Sequence, residues 1–359
     1  MPMIRRHVIH QLWLTFCACG LVVGFLFGRS ERPGAPRSVP FRPGPISFRP
    51  VQRLREQFAQ VSAEVYLHRG IERETNGQLE LALADFDEAL RTDPNLADAY
   101  LHRGYVFHCQ GKSDQALEDY SHAIRLRPQD PFTYGSRGMI WEDRNDLDRA
   151  LQDYSEAIRL GSRDPTIFLL RGILRRDRSD LDQAFADFSE AIRLDPTDPD
   201  PLAQRAYVRQ VRGEFAAAID DYNAAIRLQP LNPVLLLNRG ATWQALTDFP
   251  KALEDYNAAI SLDPNQKEAY AARGDLRRSQ GNLEEALVDY EKAIDLGIQS
   301  PDVFVVRAAF RLQQGKLEES LQDYESALQL DPKYPAAMQG RAFVSEVLKR
   351  QADRDGNAQ

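Results

Sequence analysis

Cysteine is nearly absent from this chain. There are three in 359 residues, too few for a disulfide framework. Two of them, Cys17 and Cys19, lie inside an apolar N-terminal run and leave Cys109 alone in the remainder. Also missing are a phosphate-cradling glycine loop, a nucleophile elbow and a zinc-ligand spacing. Lysine does not occur in residues 1–62, where nine Arg stand against two Glu for a net charge of +7. The whole chain carries −8, so residues 63–359 carry −15. A surface that tracks phosphates must be basic, so an acidic body on a basic leader argues against nucleic-acid binding. Long apolar runs are scarce too: LWLTFCACGLVVGFLF at 12–27 stands by itself.

With Val8 and Ile9 ahead of it, that run extends over residues 8–28, about long enough to cross a hydrocarbon layer. It reads either as an uncleaved membrane anchor or as a cleaved secretory signal, and Leu26, Phe27 and Gly28 match the small-residue cleavage pattern poorly. Arg5 and Arg6 suit an exported body, whereas Arg29, Arg32, Arg37 and Arg42 favour the opposite orientation. Residues 29–50 form a Pro- and Arg-rich spacer, because repeated proline denies backbone hydrogen bonding. Val51, Leu54, Phe58 and Val61 then recur at helical spacing, which predicts a lead-in helix over 51–62.

What the chain has in abundance is itself. QDYSEAIRL at 152–160 is echoed by EDYSHAIRL at 118–126, ADFSEAIRL at 186–194, DDYNAAIRL at 220–228 and EDYNAAISL at 254–262, each 34 residues after the last. Arg69, Arg103, Arg137, Arg171, Arg205, Arg239, Arg273, Arg307 and Arg341 keep the same register, and each is followed by Gly or Ala. An alanine, an aromatic four residues on and a second alanine three beyond it follow in turn, as at Ala150, Tyr154 and Ala157. Pro closes six of the eight units. Each unit reads as two helices. The first often opens on a cap and a proline (Asp130-Pro131, Asp164-Pro165, Ser300-Pro301), and Gly77, Gly111, Gly213, Gly281 and Gly315 punctuate the turn between the two. Small residues let the helices approach while the aromatic fills the gap, and neighbouring units must stack to bury what one cannot.

The 34-residue period and the Gly/Ala…Ala…Tyr/Phe…Ala…Pro order resemble the tetratricopeptide repeat. The resemblance implies an all-α, right-handed superhelical solenoid of antiparallel helix pairs, here preceded by the N-terminal transmembrane or signal-anchor segment. The chain then divides into 1–28 for that segment, 29–50 for the linker, 51–62 for the lead-in helix, 63–334 for eight repeats, 335–350 for a capping helix and 351–359 for a disordered tail. The family commonly has Leu where this chain has Arg. An Asp precedes every aromatic: Asp85, Asp119, Asp153, Asp187, Asp221, Asp255, Asp289 and Asp323. Eight Arg at a constant 16 residues from eight Asp suggest a ladder of ion pairs between the helices, serving either register or a row of ligand sites.

The resemblance also implies that the first helices line a groove. Leu67, Leu101, Leu169 and Leu237 stand five residues into their units, and Ile71, Tyr105, Met139, Ile173 and Tyr207 nine residues in. This apolar stripe, with Glu64, Asp98, Asp200, Glu268 and Asp302 beside it, reads either as a groove for a peptide or helix with apolar anchors and basic flanks, or as packing between helices. No Lys occupies these positions, which argues against the carboxylate clamp of one family subset. His68 and His102 hold equivalent places in adjacent units, about 10 Å apart by helix packing, too far to share a metal at bonds of about 2 Å. The expectation is a membrane-tethered interaction scaffold without catalysis, cofactor or metal. The alternatives are a self-associating envelope component that uses its convex surface, or an exported protein.

Overall fold

Alanine and glycine at fixed places in each unit decide which helix faces meet. The computed structural model describes residues 49–356, with side chains over 61–353, and among these it has seventeen α-helices and no strand. They run as α1 Arg49–Thr75, α2 Leu79–Thr92, α3 Ala97–Cys109, α4 Ser113–Leu126, α5 Pro131–Asp143 and α6 Leu147–Arg159. Next come α7 Pro165–Asp177, α8 Leu181–Leu194, α9 Pro199–Val211, α10 Phe215–Leu228, α11 Pro233–Ala245 and α12 Phe249–Leu262. The series ends with α13 Lys267–Ser279, α14 Leu283–Asp295, α15 Pro301–Gln313, α16 Leu317–Leu330 and α17 Pro335–Gly356. Odd-numbered helices are first helices and even-numbered ones second helices. The chain divides into two compact units, one ending at Leu170 and the other beginning at Arg171.

Within a repeat, the small residue after the Arg admits the aromatic ring of the second helix. A Cβ placed on Gly138 would stand 2.7 Å from Cε1 of Tyr154, and one on Gly240 2.7 Å from the same atom of Tyr256. Five second-helix tyrosines (120, 154, 222, 256 and 290) and Phe86 and Phe188 are fully buried against these places. In the first unit Leu67, Phe86, Leu90 and Val106 join one core cluster. At the far end Tyr324, Ala337 and Val344 seat α17 on α16.

The ends of the helices follow their local chemistry. Asp130 accepts from the backbone N–H of Phe132 and Thr133 ahead of Pro131, Asp164 from Thr166, and Asp198 from Asp200. Ser300, expected to cap α15, makes no side-chain cap bond; Pro301 begins that helix without one. Second helices stop where the N–H of the residue after the last turn bonds the Ala89, Ala191 or Ala259 carbonyl. Asp93, Asp195 and Asp263 then fold the chain back on themselves through N–H bonds from the residue two on.

Two boundaries and the chemistry of three turns differ from the sequence reading. The lead-in segment is not separate: α1 runs unbroken from Arg49 to Thr75, with Pro50 in its first turn and no Gly or Pro between Val51 and Arg69. The last helix does not stop at 350 but continues to Gly356, because Leu348–Asp355 contains only residues a helix tolerates. The turn between paired helices needs a left-handed residue, and glycine supplies it five times, with φ of 73–84°. The same place is filled by Asn145 (φ 60°), Ser179 (65°) and Thr247 (61°). No helix among the described residues is long and apolar enough to cross a membrane; the anchor or signal at 1–28 and nearly all of the 29–50 linker lie outside them.

Left-handed backbone costs a side-chain-bearing residue about 1–2 kcal/mol, and asparagine tolerates it best. Thr247→Gly is therefore expected to stabilise the protein by about 1 kcal/mol, and Asn145→Gly by less. Chemical denaturation of the two variants checks this; equal or negative shifts would show that the turn is unstrained.

Candidate functional site

Eight aspartates, one on each second helix, are taken out of water and held by an arginine fork. Asp85, Asp187, Asp221, Asp255, Asp289 and Asp323 are 1–5% exposed, and Asp119 and Asp153 similarly so. In the middle of the first unit Arg137 donates from Nε at 2.8 Å and Nη2 at 2.9 Å to the two oxygens of Asp153. Arg103 grips Asp119 at 2.8 Å through each nitrogen. In the second unit Arg171, Arg205, Arg239, Arg273 and Arg307 repeat this on Asp187, Asp221, Asp255, Asp289 and Asp323. Arg69 does so on Asp85 at the start. The hydrogen bonds it donates to Asp153 raise the Arg137 guanidinium's pKa above its ordinary value.

Two features of this network were not read from the sequence. Four residues after the ladder arginine, Arg73, Arg175, Arg209, Arg277 and Arg311 deliver a second guanidinium to the same Asp at 2.7–3.0 Å. Phe107, Trp141 and Trp243 hold that place in the other three repeats. Lys112, Arg149 and Lys251 stack on them, Lys251 at 4.2 Å from the Trp243 ring. The third nitrogen of the ladder arginine also reaches the preceding repeat: Arg103 to Asp87, Arg137 to Ser121, Arg205 to Ser189, Arg239 to Asn223 and Arg273 to Asn257, at 2.6–3.3 Å. One side chain thus ties three helices. A signal existed: a hydrogen-bonding residue two after each of these aspartates.

The predicted groove residues fall into three groups. Leu67, Leu101 and Leu169 are buried in the core. Ile71, Tyr105, Met139, Ile173 and Leu237 are half-buried, with Ile71 and Tyr105 packed on the Leu67 cluster. Tyr207 is 46% exposed, with the Arg176 guanidinium 5.6 Å over its ring. Of the flanking acids, Glu64 and Glu268 are exposed, Asp98 is bonded by Arg127 and Asp302 by the Tyr334 hydroxyl.

One polar pair is buried on this side of the first unit. His102 Nδ1 lies 3.0 Å from Glu74 Oε2, and Glu74 Oε1 has no hydrogen-bond partner. Burial drives the Glu74 carboxyl up to about 9 and the His102 ring down to about 4. At neutral pH the contact is accordingly a hydrogen bond from a carboxylic acid to a neutral imidazole. Among the described residues no group of three or more His, Cys, Asp or Glu is placed to hold a metal.

Three family models match the chain: a TPR repeat over residues 75–111 and 311–344, a tetratricopeptide repeat over 97–130, and a tetratricopeptide repeat over 142–199 and 244–302. Together they cover more than half of it. No curated protein matches. Among solved structures, the chain is similar to the C-terminal part of a TPR repeat-containing protein from Cytophaga hutchinsonii, with TM-score 0.53 and 18% identity over 67% of this chain and 98% of that one. PilF from Pseudomonas aeruginosa gives 0.52 and 20% over 62% and 99%. YrrB, described as a TPR protein with an unusual peptide-binding site, gives 0.50 and 20% over 52% and 97%. At these identities the likeness is one of fold.

Removing one member of a buried charge pair leaves the other uncompensated, at about 3 kcal/mol. Asp187→Asn, which strands both Arg171 and Arg175, is expected to cost about that much in urea unfolding. Glu88→Gln, which breaks the exposed pair with Arg91, should stay within about 0.5 kcal/mol. Comparable losses from both would mean that the ladder contributes no more than a surface pair.

The Glu74–His102 pair sets a pH dependence. The contribution of Glu74 is complete below its ordinary 4.5 and is lost as pH rises toward about 9. That of His102 is complete above 6.5 and is lost as pH falls toward about 4. The two oppose each other between 4.5 and 6.5, and above 6.5 Glu74 acts alone. Stability should fall from pH 6.5 to 9 by at most about 1.4 kcal/mol per unit. Glu74→Gln should flatten that slope in urea midpoints measured across the range; an unchanged slope would place its origin elsewhere.

Proposed function

The chain belongs to the tetratricopeptide repeat family, a scaffold for protein–protein interaction, and we propose that it holds a partner's peptide or helix on its first-helix faces, close to a membrane. The observation that carries this is Tyr207. Its ring stands nearly half open on a first helix, in the same repeat register as Ile173 of the same unit. An aromatic with an arginine over its face offers both an apolar anchor and a polar handle. Exposed Glu64 and Glu268 favour a partner with basic flanks. YrrB carries a peptide-binding site on the same fold. The uncharged run at 12–27 supports a tether, and the −15 charge of the body disfavours a nucleic-acid partner.

Because Leu169 is buried, a charge there would unfold the repeat rather than probe binding. The decisive substitution is Tyr207→Glu, in the full-length chain, with Val288→Glu as the companion. Val288 is 63% exposed and sits on second helix α14. Capture of a partner from solubilised membranes should be lost with Tyr207→Glu and retained with Val288→Glu, while both variants keep the parent's helicity and melting temperature. The reverse pattern would move the interaction to the second-helix surface and overturn the first-helix reading.

A further inference from the structure

The ladder has a ninth arginine, and the residues around it repeat a face that is covered in every earlier unit. On α15 the face reads Phe304, Arg307, Ala308 and Arg311, at i, i+3, i+4 and i+7. Helix α16 lies across it: Ala308 is fully buried, Arg307 forks Asp323 at 2.6 and 2.9 Å, and Arg311 adds a contact at 3.0 Å. On α17 the same positions are Met338, Arg341, Ala342 and Ser345, and all four are exposed, Met338 to 47%. An adjoining side of α17, through Ala337 and Val344, is the one that packs on α16. Among the described residues no carboxylate lies within ion-pair distance of Arg341.

Among the described residues, the chain does not cover this face in the manner of the earlier repeats. Each preceding first helix from α3 to α15 ends by the thirteenth position and turns back through a left-handed residue, whereas α17 continues straight through Leu348 and Lys349 to Gly356. Nor does a second copy offer a suitable helix, since all eight Asp-aromatic helices of this chain bury their aspartate within their own repeats. The structure shows eight times what fits the face: a helix of the form Ala/Ser-x-x-Asp-Tyr/Phe-x-x-Ala.

We propose that the outer face of α17 docks a helix from a different protein that bears this pattern, with its aspartate on Arg341 and its aromatic against Ala342 and Met338. The inference is independent of the Tyr207 reading, because the residues that carry it lie on another helix, α17 rather than α9. The occupant's chemistry follows from the face. A planar fork selects a carboxylate over a neutral amide, and the small residue admits a ring where a larger side chain would exclude it.

The test uses the full-length chain and a hydrocarbon-stapled, fluorescein-labelled peptide with the sequence of residues 317–330, titrated by fluorescence anisotropy. Saturable binding is expected. Arg341→Glu should weaken it about tenfold, as should Arg in place of the aspartate in the peptide, and pairing the two changes should restore affinity. Arg341 is exposed, so the variant is expected to keep the parent's circular dichroism, and Tyr207→Glu should leave peptide affinity unchanged. No saturable binding by the pre-formed helix would overturn the proposal. So would binding indifferent to Arg341→Glu, which is what a peptide displacing α16 would give.

Discussion

A carboxylate buried between two helices is tolerable only if something cancels its charge with good geometry, and that requirement organises this chain. Taking an aspartate out of water costs several kcal/mol, more than a single ill-aligned contact returns. The bidentate arginine fork meets the requirement, with two nearly parallel bonds at 2.6–3.0 Å in most repeats. Such a bond pattern has one register. Sliding either helix by a residue would strand both charges, so a pair of helices joined by a short turn has a single stable alignment. A leucine at the same place would add apolar area without direction. Lysine would supply the charge but not the planar geometry.

The fork also explains why packing between repeats is regular within each unit. Once Nε and Nη2 are committed to the second helix of the same repeat, Nη1 points at the second helix before it and meets Ser121, Asn223 or Asn257. The apolar residues then have fixed work. Rings such as Tyr154 and Tyr256 fill the space above Gly138 and Gly240, and Leu67 and Leu101 are drawn into the layers between helices. What remains on the first-helix faces is a mixture of half-buried and exposed aliphatics such as Ile173 and Val234, the open Tyr207 and scattered acids. Specificity for a partner has to be built from those few residues rather than from the repeated motif.

Much of this was written plainly in the sequence, because the signals were periodic. The 34-residue interval, the small-aromatic-small order and the 16-residue spacing from Arg to Asp need only counting. The glycines at 77, 111, 213, 281 and 315 marked the turns for a reason of backbone geometry. Where that place held Asn145, Ser179 or Thr247 the turn was present but unmarked, since the fold imposed the left-handed conformation on residues that do not ask for it. The exposure of the predicted groove was not legible either. Leu169 and Tyr207 are both apolar residues on first helices, and only the positions of the neighbouring helices make one buried and the other open. The second arginine was hidden because aromatic residues replace it in three of the eight repeats, which breaks the period.

Repeats that touch chiefly their neighbours present unlike faces on their two sides. Ending on a second helix would leave a half-covered row of alanines and rings. A first helix without a second helix against it, as α17 is among the described residues, shows a face whose charged member tolerates water: Arg341 is solvated at little cost, whereas an orphaned aspartate of the buried kind would have lost its fork. The same asymmetry makes the exposed face selective. A partner helix gains at Arg341 only by bringing a carboxylate, and gains at Ala342 only by bringing a ring. On our proposal the exposed residues of α17 are therefore those that recognise a helix resembling the chain's own second helices, so that the chemistry that fixes register inside the stack serves there for choosing a neighbour.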